Sequence, residues 1–454
     1  MDILKKQCEF FLTQQTKDVS FRKNALKRLQ KEIVAREDDI CAAIYADFKK
    51  PKFEALAAET QFVLAELKLV LKSLNLWARP ERKSAILMNW PSSDWLYKEP
   101  YGTVLIIAPW NYPFQLAIAP LIGALAAGNT AVIKPSEATP NTSRVISEII
   151  TAVFPKEHVA VAEGGVEVSQ QLLAQKWDYI FFTGSTRVGQ IVYENAAKHL
   201  TPVTLELGGK NPCIVDDTAS ISLAAKRIVW GKFLNAGQTC IASDYILVHK
   251  NVKDKLIAAL KQKIIQAYGE DMEASPDYSR TVNHGHYSRL KSMLEGEEII
   301  FGGESNDTDN YLSPTLVNEP KLDSKLMAGE IFGPILPIFA FETEDDIRRH
   351  IMHYGKPLAT YVFSNNRIFQ KKIINTYSFG GGAINDTVIQ ITNKELPFGG
   401  VGASGIGAYH GRTSFDIFSH QKAIIKKANW LDAPLRYPPY NLPMKLVKMI
   451  KHVF

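Results

Sequence analysis

Four short segments carry residue types capable of covalent or phosphate chemistry. In FLNAGQTC, residues 233–240, Cys240 follows Gly237 and Gln238 in a loop between a helix-like and a strand-like stretch. The thiolate is the reactive form, so a catalytic cysteine needs an adjacent base or surroundings that lower its pKa. A free cysteine is as readily a small buried hydrophobe, and this segment alone does not choose. In VTLELGGK, 203–210, Glu206 sits at the carboxyl edge of a strand-like run. A carboxylate there could take a proton from a thiol or a water, and the glycines after it let backbone or ligand approach. The plain alternative is a surface Glu closing a strand. In APWNYPFQ, 108–115, Asn111 offers an amide N–H suited to an oxyanion, or is an ordinary turn asparagine beside Pro113. In FFTGSTRVGQ, 181–190, Gly184 and Gly189 bound a strand-to-helix turn whose backbone N–H groups could meet a phosphate. That spacing is not the usual GxGxxG fingerprint and is weak by itself.

The elements that must hold these segments follow from periodicity. Apolar strand-like runs at 104–108, 130–134, 159–163, 179–183 and 203–207 alternate with helix-like stretches. That cadence predicts a parallel sheet covered by helices, which binds ligands beyond the carboxyl ends of its strands. A second α/β unit is expected from 210 to about 393. Residues 1–80 read as helical, with one helix from about Phe53 to Leu76 closed by Pro80. Residues 84–100, aromatic and broken by proline, predict a projecting hairpin, and 394–427 read as Gly-rich and then strand-like.

Composition narrows the function. At about 150 residues per domain, a 454-residue chain suggests two or three domains. The four cysteines, Cys8, Cys41, Cys213 and Cys240, are scattered without metal or disulfide spacing, which points to a reducing compartment and a cytoplasmic setting. The N-terminal stretch lacks a signal-peptide pattern. The net charge of +6 is matched by the segment 421–454, with seven Lys/Arg and one Asp, so the rest of the chain is balanced. A basic tail gives no reason to expect nucleic-acid binding.

Seven segments in order, PWNYP, KPSE (134–137), GSTRVG, LELGGK, GQTC, EIFGP (330–334) and PFGGVGASG (397–405), make the chain resemble the aldehyde dehydrogenase superfamily over nearly its whole length. DFKKPKFEA (47–55), WARP (77–80), EGGVEV (163–168) and YHGRTSFDIFSH (409–420) are similar to its class 3 branch. The resemblance implies an α/β fold: a parallel-sheet Rossmann-type cofactor domain (1–83 and 101–209), a catalytic α/β domain (210–393), a small β oligomerisation element (84–100 and 394–430) and a basic tail (431–454). It also implies roles. Cys240 matches the nucleophile, Glu206 the general base, and Asn111 with the Cys240 backbone N–H the oxyanion hole. Lys134 and Glu137 match residues on the adenosine ribose, and Gly184, Ser185 and Gly189 the turn near the pyrophosphate. Glu330 matches the carboxylate on the nicotinamide ribose, with Phe332 beside it and Trp110 near the cofactor. Tyr112 and His410 fall at the substrate site, although a hydrogen-bonded structural histidine is the favoured reading of His410.

The implied reaction is oxidation of an aldehyde to a carboxylic acid through a Cys240 thiohemiacetal and thioester. The glycines at 208, 209 and 237 are expected to let a nicotinamide move between steps. The cofactor is NAD, with NADP open: Glu137 would repel a 2′-phosphate, and Lys134 would soften that. The substrate class implied is medium- or long-chain aliphatic or aromatic aldehydes. Transfer of the thioester to coenzyme A, and a non-catalytic protein on the same fold, are the rivals. A homodimer is expected from the resemblance. Residues 442–454 place Lys445, Lys448 and Lys451 on one helical side and Leu446, Met449, Ile450 and Val453 on another. That pattern fits either a docked terminal helix or peripheral membrane contact.

Overall fold

β-Branched and aromatic runs without charges make strands that can be buried on both faces, and the chain uses them that way. In the computed structural model, which describes residues 2–432, 436–440 and 443–449, the runs TVLII and YIFFT are wholly buried. They form β1 (Thr103–Ile107) and β4 (Tyr179–Thr183), with β2 (Thr130–Lys134), β3 (Val159–Val161) and β5 (Val203–Glu206) beside them. The order across this six-stranded sheet is Gly405–Ile406, β5, β4, β1, β2, β3. All pairs are parallel except the Gly405–Ile406 bridge to β5. Gly405–Ile406, assigned from sequence to the oligomerisation element, is therefore an edge of this sheet. The helix Gln115–Ala127, apolar all round, is buried at every residue and packs under β1 and β2.

β1 has β2 on one side and β4 on the other, so the connections leave it in opposite directions. This is the switch point where an open parallel sheet leaves a crevice beyond its strand ends. The segment Ala108–Phe114 leaves β1 there, and Gly184–Ser185 leaves β4.

The second sheet contains β6 (Pro212–Val215), β7 (Tyr245–His249), β8 (Ile299–Phe301), β9 (Thr315–Asn318), β10 (Ile335–Phe341), β11 (Ala359–Phe363) and β12 (Gly381–Ile384). Its order is β8-β9-β10-β7-β6-β11-β12, parallel except at β8–β9.

Two expectations change. The region 84–100 is not a self-contained hairpin. Ser92–Pro100 pairs briefly with Glu81–Lys83 and along its full length with Ser419–Lys427, from Ser419↔Pro100 to Lys427↔Ser92. A nine-residue strand gains more ladder bonds from a nine-residue partner than from a three-residue one. The helix expected over 53–76 is interrupted by a π-helical turn, Leu56–Thr60, before Gln61–Trp77. The tail forms a short helix, Met444–Met449, with Lys445 and Lys448 exposed; residues 442 and 450–454 of the amphipathic pattern lie outside the described residues. Among the described residues no helix is long and apolar enough to cross a membrane.

Candidate active site

Cys240 sits in a turn between the helix Ile221–Phe233 and β7. The backbone before it is unusual: Asn235, Ala236 and Gly237 have φ of 54°, 51° and 74° in succession. Two non-glycine residues in the left-handed region cost free energy and persist only where surroundings hold them. Here the hold is a set of side-chain amides. Asn235 Nδ2 donates to the carbonyls of Asn111 (2.8 Å) and Gln238 (3.1 Å). Gln238 Nε2 donates to the carbonyls of Asn235 and Arg280, both at 3.0 Å, and its Oε1 accepts from Val282 N at 3.0 Å. Glu54 Oε2 accepts from Asn235 N at 3.0 Å. On the far side of the sulfur, Asn211 Nδ2 donates to the Cys240 carbonyl at 2.7 Å, and the Tyr361 hydroxyl to that of Ile241 at 2.6 Å. Gly237 is needed twice, for its positive φ and because a Cβ would lie 2.3 Å from the Gly333 carbonyl oxygen.

Glu206 ends β5, paired with Thr183 of β4. It is 2% exposed, and neither carboxylate oxygen has a hydrogen-bond partner among the described residues. Cys240, Glu206 and Tyr112 line one cavity of roughly 1060 Å³ including its open mouth. The rest of its wall is mostly apolar, with Phe53, Phe62, Leu116, Trp230, Ile391 and Phe398 among the lining residues. Tyr112 ties the wall to the nucleophile's loop, its hydroxyl 2.7 Å from Thr239 Oγ1.

The electrostatics suit proton exchange. Burial pushes the Cys240 thiol above its ordinary range, and the carboxylates of Glu330 and Glu206 push the same way; backbone N–H groups of Cys240 and Ile241 oppose them. Burial alone drives the Glu206 carboxyl well above the usual carboxylate range. Glu330 is pushed up to about 8, first by burial and then by Asp244, against the Gly209 N–H, Lys210 and Arg289. A carboxyl whose proton affinity is raised by burial is, once ionised, a stronger base than an exposed one.

Asn111 is buried beside this cavity, and its Nδ2 donates to the Gln238 carbonyl at 3.0 Å, next to the nucleophile's loop. Gly208 lies against Glu330: a Cβ there would be 2.0 Å from Glu330 Oε2. A Cβ on Gly209 would likewise lie 3.3 Å from Leu358 N. Close approach by itself accounts for glycine at 208, 209 and 237. The Trp110 ring meets Phe332 edge-on at 5.3 Å and His286 at 4.7 Å. Lys134, 3% exposed at the end of β2, forms an ion pair with the half-exposed Glu137. Gly184 follows β4, and Ser185 caps the helix Thr186–Ala197, its side chain accepting from Val188 N. Gly189 packs one turn into that helix, where a Cβ would lie 2.6 Å from Leu207 Cδ2. The capped start of a twelve-residue helix after β4 and a buried lysine at the end of β2, the two strands that flank β1, suit a phosphate and a ribose, so these residues fit a dinucleotide.

His410 differs from the reading made for it. Its ring has no hydrogen-bond partner among the described residues at either nitrogen. It packs instead on Tyr409 (4.2 Å), Phe398 (5.2 Å) and Phe62 (5.3 Å), all three of which line the cavity, and burial holds its pKa well below the ordinary value. It stands behind the cavity wall.

Sequence reasoning missed Asn211, Asn235, Lys50, Glu54 and Glu59. Asn211 and Asn235 flank the LGGK and GQTC segments, a usable signal; nothing in the helical region 50–59 distinguishes its charges from a solvated face.

A thiol and a carboxylate without a hydrogen-bond partner among the described residues share one mostly apolar cavity, an arrangement that fits a cysteine-dependent oxidoreductase. The sequence profile of the aldehyde dehydrogenase family matches residues 9–424. The chain is 51% identical to 4,4'-diaponeurosporen-aldehyde dehydrogenase of Staphylococcus aureus, over 97% of this chain and 96% of that one. It is 44% identical to aldehyde dehydrogenase family 3 member A2 of Rattus norvegicus, over 94% and 89%. A solved structure described as the substrate-bound state of Staphylococcus aureus AldH superposes with a TM-score of 0.97 at 50% identity, covering 99% of each chain. A Mycobacterium tuberculosis aldehyde dehydrogenase complexed with NAD+ superposes with a TM-score of 0.81 at 26% identity, covering 90% and 86%. The chain belongs to the aldehyde dehydrogenase family and is an NAD(P)-dependent oxidoreductase acting on aldehydes.

Proposed function

We propose that Cys240 is the nucleophile and Glu206 the base of this oxidation, and that the substrates are medium- or long-chain aliphatic or aromatic aldehydes. The observation that carries the reading is the shared cavity: a thiol and a carboxylate with two free oxygens, in walls that are otherwise mostly apolar. The Cys240 thiol gives up its proton to water at the open mouth of the cavity, and its sulfur adds to the aldehyde carbon. The oxyanion that forms is held by the Asn111 amide and the Cys240 backbone N–H, donors that carry no net charge and need no titration. When bound, a nicotinamide dinucleotide supplies the hydride acceptor that turns the adduct into a thioester. Glu206 then takes a proton from a water, which attacks the thioester carbon; the acid leaves and the sulfur is regenerated. Lys134 and Glu137 would hold the adenosine ribose, the turn Gly184, Ser185 and Gly189 the pyrophosphate, and Glu330 the nicotinamide ribose, with Phe332 and Trp110 packed beside it. Glu137 paired with Lys134 presents a partly compensated charge, which supports use of NADP as well as NAD. Tyr112 shapes the aldehyde's path directly and His410 through Tyr409, Phe398 and Phe62.

Two further readings concern partners. The strand Ser419–Lys427 leaves one edge of its sheet open and exposes Ile424 and Ile425, which supports pairing with a second copy. Exposed Met444, Lys445, Val447 and Lys448 on the terminal helix support contact with an anionic membrane surface.

The decisive experiment is Cys240→Ser. Aldehyde oxidation should fall to background while dinucleotide binding, followed by fluorescence titration, stays within twofold. Turnover by the serine variant would remove the nucleophile from this position.

A further inference from the structure

Beneath the segment that carries Asn111 lies an ion pair with no solvent contact. Lys50 Nζ is 2.8 Å from Glu59 Oε1, and both side chains are 0% exposed. Burying two charges is costly, and an apolar pair of similar volume would often serve stability as well. What distinguishes this pair is where its remaining bonds go. Glu59 Oε2 accepts from Phe114 N at 2.9 Å and Gln115 N at 3.2 Å. Lys50 Nζ donates to the Asn111 carbonyl at 3.4 Å and stands 3.8 Å from the centre of the Tyr112 ring. Every one of these bonds falls on residues 111–115. Glu59 reaches them from the π-helical turn Leu56–Thr60, an irregularity that re-aims one side chain within a helix.

The same short segment is tied on its other side to the nucleophile's loop. Asn111 Nδ2 donates to the Gln238 carbonyl, the Asn111 carbonyl accepts from Asn235 Nδ2, and the Tyr112 hydroxyl meets Thr239 Oγ1. The peptide between Asn111 and Tyr112 is thus clamped between a buried charge pair and the loop that ends at Cys240. We infer that Lys50 and Glu59 are positioning residues for the oxyanion site: they fix the Asn111 peptide so that its amide faces the carbon bound at Cys240. The inference rests on the role proposed for Asn111. Angstrom-scale misplacement of such a donor costs about 100-fold in rate, comparable with removing it.

The test uses the full chain and a probe that needs no dinucleotide. Attack of Cys240 on 4-nitrophenyl acetate forms an oxyanion and then an acetyl thioester, releasing 4-nitrophenolate, so the burst rate reports acylation. Alkylation by iodoacetamide reports the same thiol without an oxyanion. The double variant Lys50→Met/Glu59→Gln removes both charges of the pair and keeps an acceptor for Phe114 N and Gln115 N; Glu54, which loses Lys50 as a nearby cation, keeps its bond from Asn235 N. It should acylate 10- to 100-fold more slowly with alkylation within twofold of the parent. Introduced into Asn111→Ala, it should slow acylation less than threefold further. Acylation within threefold of the parent, equal losses in acylation and alkylation, or full multiplication with Asn111→Ala would each overturn the inference. Should the double variant not fold, Lys50→Arg keeps the charge beside Glu59, but a planar guanidinium cannot satisfy carboxylate, carbonyl and ring together. The same slowing is expected, and parental acylation would overturn the inference. A parental burst in Asn111→Ala would instead refute the oxyanion role of Asn111 itself, a separate outcome.

Discussion

Glu206→Gln separates the two things a buried carboxyl can do, hold structure or move protons. In the folded chain its oxygens accept no hydrogen bond from the described residues, so the amide loses no contact. What it loses is a group whose charged form is disfavoured by burial. The folded-state pKa lies above the unfolded one. Between those two values the unfolded chain is ionised while the folded chain keeps its proton, so stability falls as pH rises, by at most about 1.4 kcal/mol per pH unit. Glu206→Gln should therefore match the parent near pH 4, below the unfolded pKa of about 4.3, and exceed it by at most about 3.7 kcal/mol at pH 7, measured by urea unfolding. Catalysis should move the other way. General bases contribute about 100- to 10,000-fold, so steady-state turnover should fall by that factor while the first-turnover burst of reduced cofactor survives. The parent's deacylation rate should rise with pH as Glu206 ionises, and the variant's should stay low across that rise. A variant less stable than the parent at pH 7 would show that the carboxylate has structural partners. A burst lost together with turnover would show that Glu206 acts before the thioester, and either result would refute the reasoning.

Gly208→Ala would place a methyl 2.0 Å from Glu330 Oε2, so the carboxylate must swing away; dinucleotide affinity should weaken about tenfold, the loss of one charged hydrogen bond, while iodoacetamide labelling of Cys240 becomes no slower, because Glu330 is one of the charges that raise its thiol pKa. Equal affinity would place Glu330 elsewhere than on the ribose. Removal of residues 440–454 should abolish co-sedimentation with phosphatidylserine vesicles at low salt, and identical sedimentation of both forms would end the membrane reading. Ile425→Lys should shift sedimentation equilibrium from dimer towards monomer with a charge on the open strand edge; no shift would locate any dimer contact on another face.

Several elements were legible because their signal is local. The strands around 104–108 and 179–183 announce themselves as uninterrupted β-branched and aromatic runs, which only a doubly covered sheet can bury. The partner of Ser92–Pro100 did not, because a strand's ladder partner can lie anywhere in the chain and here lies beyond residue 418. His410 was misread for a related reason. A histidine's hydrogen bonds depend on what surrounds the ring, and here Phe62, Phe398 and the adjacent Tyr409 pack on it and leave it no partner among the described residues.

The amino-acid sequence by itself determined which side chains can react and which family's reaction they resemble, because residue type and order are written along one dimension. Where charge sits in space is another matter. Lys50, Glu54 and Glu59 look like a solvated helix face until the segment 108–115 and the nucleophile's loop pack over them. Only the tertiary structure could decide that Lys50 and Glu59 are buried, and burial is what turns an ordinary ion pair into a clamp. The same holds for Glu206, whose raised proton affinity comes from the walls around it and not from its neighbours in the chain.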